Sequence, residues 1–170
     1  MKAELLTLRV IHILSGIFWV GSMMFTTFFL TPTIRSSPSL AGQVMAGLQK
    51  RRLFLILPIV ALLTIASGTR LLWITSAGFS DSYFSTPMGR TINAAATAAT
   101  IAFLLAMLVS RPGFIRVGRL GASLAAADEA AKARISAEMQ KVSRRVGIAN
   151  LFVVVLLLFA AAGMATARYM

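Results

Sequence analysis

Four apolar segments, each about 20 residues long, dominate this chain of 170 residues; they cover residues 8–30, 53–74, 91–110 and 148–167. A helix of about 20 residues rises roughly 30 Å, which is the thickness of the hydrocarbon core of a bilayer. The chain is 58% hydrophobic and only 13% charged, unlike an average soluble domain. The sequence therefore predicts an all-α, polytopic membrane protein, with one domain over residues 1–170 built as a bundle of four transmembrane helices.

Basic residues are distributed unevenly between the two sides of this predicted bundle. Segment 31–52 carries four Lys and Arg residues and segment 111–147 carries eight, which together are 12 of the 17 in the chain. Loops rich in Lys and Arg are retained in the cytoplasm. We therefore expect both chain termini on the periplasmic side of a bacterial inner membrane. Topology and anionic lipid headgroups account for the net charge of +12, so we expect lipid and no nucleic acid as partner.

The first basic loop contains the pattern of a short amphipathic helix over residues 37–49. Ser37 can cap this helix, Pro38 suits its first position, and the apolar residues Leu40, Val44, Met45 and Leu48 fall on one face. We expect the helix to lie at the membrane interface.

The second basic loop predicts a longer cytoplasmic amphipathic helix over residues 118–146, which continues into the fourth span. Apolar residues recur there every three or four positions, and Asp128 with Lys132 and Arg134 with Glu138 form i,i+4 pairs. Pro112-Gly113 predicts a break after the third span. The helix either packs on its own bundle or the membrane surface, or serves as a docking surface for a partner.

The predicted spans contain few groups that could do chemistry. None has Asp, Glu or Lys in its interior, which disfavours a proton pump or a coupled transporter. The chain has no cysteine and one histidine, His12, inside the first span. Helical spacing puts Gly16 and Trp19 on the same face as His12. His12 either hydrogen-bonds a neighbouring helix or serves as an axial ligand of b-type haem or a ligand of copper.

A haem would need a second axial ligand and cationic partners for its propionates. Met164 lies about as far from the outer end of the fourth span as His12 lies from that of the first, and a thioether is a competent ligand. Several arginines lie toward the same end: Arg9, Arg70, Arg90 and Arg168. They are equally explained as anchors that reach the headgroups. The candidate site therefore comprises His12, Met164, Trp19, Gly16 and Arg9.

The stretch LRVIHILSGIFWVGSMMF contains the pattern H-x-x-x-G-x-x-W-x-G at His12, Gly16, Trp19 and Gly21. It resembles the first helix of the CopD-like group of bacterial membrane domains. That group is similar to copper-resistance D proteins, the membrane part of some urate oxidases and HemJ-type protoporphyrinogen oxidases. The resemblance implies a four-helix membrane module in which His12 binds haem b or takes part in copper passage.

Two functional hypotheses follow. The first is a non-catalytic integral membrane subunit that packs against or organises a larger electron-transfer complex, respiratory or photosynthetic. It rests on the absence of catalytic motifs, on the helical basic loops and on small residues at four-residue spacing in the third span, Ala94, Ala98 and Ala102. The alternative is a stand-alone CopD-like protein that binds haem b or handles copper through His12. We expect no enzyme activity, because the chain lacks the further His and the intramembrane Lys that HemJ-type oxidases use.

Overall fold

The structure is a computed structural model that describes residues 2–36, 38–124 and 126–170, without the side chains of 38–40. These residues form six α-helices and no strand: α1 (Lys2–Ser36), α2 (Pro38–Lys50), α3 (Leu53–Thr75), α4 (Asp81–Phe84), α5 (Pro87–Leu124) and α6 (Glu129–Thr166). Helices α1, α3, α5 and α6 are long and apolar enough to cross a membrane. The predicted all-α fold with four such helices is therefore confirmed.

Three of the four long helices extend well beyond the apolar segments that predicted them. The 38 residues of α5 correspond to about 57 Å of helix, nearly twice the hydrocarbon thickness. The start of α5 is set by capping, since the Thr86 side chain accepts a hydrogen bond from the Gly89 amide and Pro87 occupies the first turn. A helix ends where its hydrogen bonding is interrupted, not where its hydropathy falls.

The predicted break at Pro112-Gly113 is wrong, because α5 continues through it to Leu124. A π-helical segment over Ala106–Ser110 directly precedes Pro112, and a second one over Thr26–Leu30 precedes Pro32 in α1. After each segment, an amide bonds to the carbonyl five residues back. The wider turn relieves the clash between a proline ring and the preceding turn, which otherwise breaks a helix.

The single helix predicted over 118–146 is also wrong, because α5 ends at Leu124 and α6 begins at Glu129. Asp128, predicted as the partner of Lys132, instead caps α6 by accepting a hydrogen bond from the Ala131 amide. Lys132 pairs with Glu129, and Glu138 pairs across to Arg116 of α5. As predicted, α6 then runs without a break into the fourth span.

The long helices pack as two hairpins, α1 with α3 and α5 with α6. Both hairpins start and finish at the same end of the bundle, which we call the terminal end. The opposite end holds α2 and the connection between α5 and α6, and we call it the loop end. At the loop end, α2 packs against the last 14 residues of α5. Gly42 and Gly121 make this approach possible, since a Cβ on Gly42 would lie 2.7 Å from the Gly121 carbonyl carbon. The predicted cap Ser37 lies outside the described residues.

In the described residues, buried apolar side chains form three clusters: one in the middle of the bundle, one at the loop end, and a smaller one of Ala95, Ala98 and Ala160 toward the terminal end. The middle cluster includes Trp19, Met23, Ala102, Val153 and Leu157; the loop-end cluster includes Ile34, Met45, Phe114, Met139 and Val146. At the terminal end α3 and α5 touch at only a few points, and a cavity lies between the two hairpins.

Candidate functional site

The cavity at the terminal end has a volume of about 510 Å³, within the range of roughly 300–1,000 Å³ typical of ligand pockets. All four long helices contribute to its wall. Most of the lining is apolar and includes Ile13, Leu72, Ile92 and Ala99. A small number of polar groups interrupt this lining, which is the usual composition of a small-molecule site.

His12 is the imidazole in this wall, and its orientation is set by α3. Its Nδ1 lies 2.8 Å from the backbone carbonyl oxygen of Thr64. Because a carbonyl oxygen can only accept, Nδ1 carries the proton and donates it, and in the neutral ring Nε2 keeps a free lone pair. Within the described residues, Nδ1 makes all the hydrogen bonds of the ring. Metal-bound histidines are commonly oriented in this way, with one ring nitrogen held by a carbonyl and the other bound to the metal.

Three residues of α3 surround the His12 ring. Thr64 supplies the carbonyl, the Ser67 hydroxyl lies 3.4 Å from Nδ1, and Gly68 leaves space for the ring itself. A Cβ on Gly68 would lie 2.7 Å from His12 Cε1. The sequence analysis missed Thr64 and Ser67 as partners of His12. The available signal was the spacing i, i+3, i+4 of small and hydroxyl residues in an otherwise apolar span.

The structure places two further residues of the candidate site, Met164 of α6 and Arg9 of α1, in the same cavity wall as His12. Arg168, which was considered as a propionate partner, also lines the cavity. Arg70 instead pairs with Glu4, with 2.7 Å between guanidinium nitrogen and carboxylate oxygen. An imidazole, a thioether and two guanidinium groups therefore surround one cavity.

Trp19 and Gly16 lie elsewhere, although they share a helix face with His12. Trp19 is only 2% exposed and packs edge-on against Phe103, with 6.4 Å between ring centroids. It lines a second, narrower apolar cavity of about 50 Å³ nearer the loop end. Gly16 faces α3, where its Cβ would lie 3.7 Å from Thr64 Cγ2. The H-x-x-x-G-x-x-W pattern thus divides between the ligand-sized cavity, a helix contact and the core.

Tyr83 is a further polar residue in the wall of the cavity. It lies on α4 and lines the cavity, and its hydroxyl is buried without a hydrogen-bond partner in the described part of the chain. The turn before α4 has left-handed backbone at Ala77, Gly78 and Phe79.

The donor set limits the kinds of metal group that fit here. Across residues 2–36, 38–124 and 126–170, no three His, Cys, Asp or Glu side chains come together as a metal cluster. The cavity instead offers one imidazole and one thioether, and both of these groups can bind a haem iron. Comparison of the chain with protein-family models, curated proteins and solved structures finds no match.

Proposed function

We propose that this chain is a multi-pass protein of the bacterial inner membrane, with both termini on the periplasmic side, and that its terminal-end cavity binds b-type haem through His12. One observation carries the proposal: the Thr64 carbonyl holds Nδ1 of His12, which leaves Nε2 available beside a cavity of about 510 Å³. A histidine that only joined two helices would not require such a cavity.

The other groups around the cavity fit the same ligand. The Met164 thioether would bind the haem iron together with His12, and Arg9 and Arg168 would pair with the propionates. The apolar walls suit the porphyrin faces and exclude water. A bound haem b supplies one-electron transfer, while the residues of this chain bind it, orient it and set its surroundings. The resemblance of the first helix to the CopD-like group supports this assignment.

We further propose that the protein works as a non-catalytic subunit that packs against or organises a larger electron-transfer complex, respiratory or photosynthetic. Large apolar side chains are exposed on all four long helices, among them Ile17, Leu62, Leu108 and Phe159. Such surfaces suit lipid or neighbouring membrane subunits. Copper handling through His12 and Met164 is the second candidate, because imidazole and thioether groups also bind copper.

The test is an absorption spectrum of the protein gently extracted from its native membrane, recorded oxidised and reduced with dithionite. Bound metals and the masses of co-eluting proteins are measured on the same sample. We expect about one b-type haem per chain, and its loss in the His12→Ala variant. Met164→Leu should keep the pigment with altered bands. Trp19→Phe is the matched control, because Trp19 belongs to the same motif but lies in the core.

Each other outcome identifies a different function. A full haem spectrum in a folded His12→Ala variant would show that His12 is not the ligand. Copper without haem, lost in the same variant, would favour the copper-handling role. A colourless, metal-free chain that co-elutes with a pigmented complex would support the subunit role alone. His12 would then be a packing residue.

A further inference from the structure

A groove of about 770 Å³ opens at the loop end, between the end of α1 and the loop-end half of α6, far from the His12 cavity. Three cationic side chains line it: Arg35 from α1, and Lys141 and Arg144 from α6. Ser36 and Gln140 add hydrogen-bonding groups. No carboxylate belongs to its lining, so the groove concentrates positive charge on one surface.

The acidic residues of the loop end are engaged elsewhere. Glu138 pairs with Arg116 and Glu129 pairs with Lys132, and no carboxylate of the described residues pairs with Arg35, Lys141 or Arg144. Three like charges around one groove repel each other, and an anion between them reverses this repulsion. Arginine and lysine together are typical binders of phosphate groups.

The groove continues into surfaces that suit acyl chains. Along α6, Arg144, Ile148 and Leu151 lie on one face at spacings of four and three residues, and both apolar residues are exposed. On α1, the exposed Phe28 and Phe29 lie about one turn before Pro32, another residue of the groove lining. A ligand with a phosphate and long apolar tails can therefore contact both regions, whereas free phosphate would use only the cations.

We propose that this groove is a binding site for an anionic phospholipid, with its phosphate between Arg35, Lys141 and Arg144 and its acyl chains along Phe28 and Ile148. Basic pockets between membrane helices on the cytoplasmic side are a recognised setting for such headgroups. The site depends on the helices spanning a bilayer and is independent of any ligand of His12.

Native mass spectrometry of the full chain in detergent, with added dioleoylphosphatidylglycerol or dioleoylphosphatidylcholine, tests the site. The groove variant is Arg35→Gln/Lys141→Gln/Arg144→Gln. The matched control, Arg51→Gln/Arg134→Gln/Arg145→Gln, removes the same charge from the loop end outside the groove lining. We expect wild type and control to retain phosphatidylglycerol at least about tenfold better than phosphatidylcholine, and the groove variant to lose this preference.

Equal loss of the preference in both triple variants would overturn the proposal, because it would show a general attraction between opposite charges. Displacement of the lipid by glycerol 3-phosphate at a similar concentration would also overturn it, because the ligand would then be a soluble phosphate. The Phe28→Ala/Ile148→Ser variant should bind the lipid more weakly. If the triple groove variant fails to fold, Arg144→Gln compared with Arg145→Gln gives the same test, and equal retention of phosphatidylglycerol by these two would contradict the proposal.

Discussion

The two halves of the bundle differ in where their polar side chains lie. At the terminal end the hairpins stand apart, and His12, Tyr83 and Arg9 line a cavity large enough for a ligand. At the loop end, α2 packs closely against α5, and several polar side chains are enclosed between the helices. Three of these enclosed residues, Thr31, Ser110 and Asn150, have buried polar atoms without a partner within the described residues.

The enclosed polar groups lie at the level of the two π-helical segments. Val146 of α6 packs against Gly113 of α5. Asn150 is one turn further along α6 and Ser110 is one turn earlier along α5, and the antiparallel register brings them to the same level. Each π-helical segment also precedes a proline, which has no N–H, so one carbonyl nearby lacks its helical donor.

Polar atoms without a partner therefore have different surroundings in the two halves. Around the terminal-end cavity there is space in which their hydrogen bonds can be completed. Inside close packing they lower stability, because a buried polar group without a partner loses its hydration without compensation. The terminal half thus contains the ligand-sized cavity, and the loop half contains the close contact between α2 and α5.

The largest effect is expected from Gly42→Ala, at the contact between α2 and α5. The added methyl group would lie 2.7 Å from the backbone of Gly121, which cannot rotate away. We expect the free energy of unfolding to fall by about 2 kcal/mol. Gly47→Ala on the same helix meets no atom within 4 Å and should raise stability by roughly 0.5–1 kcal/mol through helix propensity. Circular dichroism monitors the thermal unfolding of both variants in detergent. Equal stability of the two variants would show that α2 and α5 are not tightly packed at the loop end.

Gly68→Ala tests the terminal half. Its methyl group would lie 2.7 Å from His12 Cε1, so the ring must leave the Thr64 carbonyl. We expect haem affinity to fall about tenfold, which corresponds to about 1.4 kcal/mol, while the bundle stays folded. Haem absorbance per chain during titration gives the measurement. Gly21→Ala on α1 meets nothing within 4 Å and is the control; unchanged affinity in Gly68→Ala would separate haem binding from the His12 orientation.

The Asn150→Leu variant tests whether an enclosed polar group lowers stability. Asn150 is fully buried, and neither its amide nitrogen nor its oxygen has a partner in the described part of the chain. We expect an apolar side chain of similar size to raise the free energy of unfolding by about 1 kcal/mol. The exposed Asn93 supplies the control variant Asn93→Leu. A lower melting temperature in Asn150→Leu alone would show that a water completes the hydrogen bonds of this amide.

The smallest effect concerns Pro58 and Arg111 at the loop end. Pro58 has no N–H, so the Phe54 carbonyl four residues earlier lacks its helical donor, and Arg111 Nε donates to that carbonyl at 3.3 Å. We expect Arg111→Gln to lower stability by about 0.5–1 kcal/mol, since the guanidinium is exposed. In a Pro58→Ala background the restored amide should make the same substitution nearly neutral. A double-mutant cycle on thermal unfolding measures the coupling, and strictly additive effects would contradict it.

Some features of the fold depend only on local sequence and were predicted correctly. The segment 53–74 matches α3 to within one residue, and α6 enters the fourth span without a break as expected. By contrast, the course of α5 through Pro112 was missed, because a proline stops a regular helix but not one widened by a π-helical turn. Asp128 could either pair with Lys132 or cap a helix, and the sequence pattern alone does not choose between them.

By itself the sequence determined that the chain is all-helical, with four helices long and apolar enough to span a bilayer. The physical reason is that an apolar run with internally satisfied backbone hydrogen bonds is favoured in lipid whatever its neighbours are. Only the tertiary structure decided that His12 and Met164 share a cavity while Trp19 lies in the core. Helical spacing puts residues on a common face, but the distance between the two hairpins changes along the bundle, and that distance separates cavity from core.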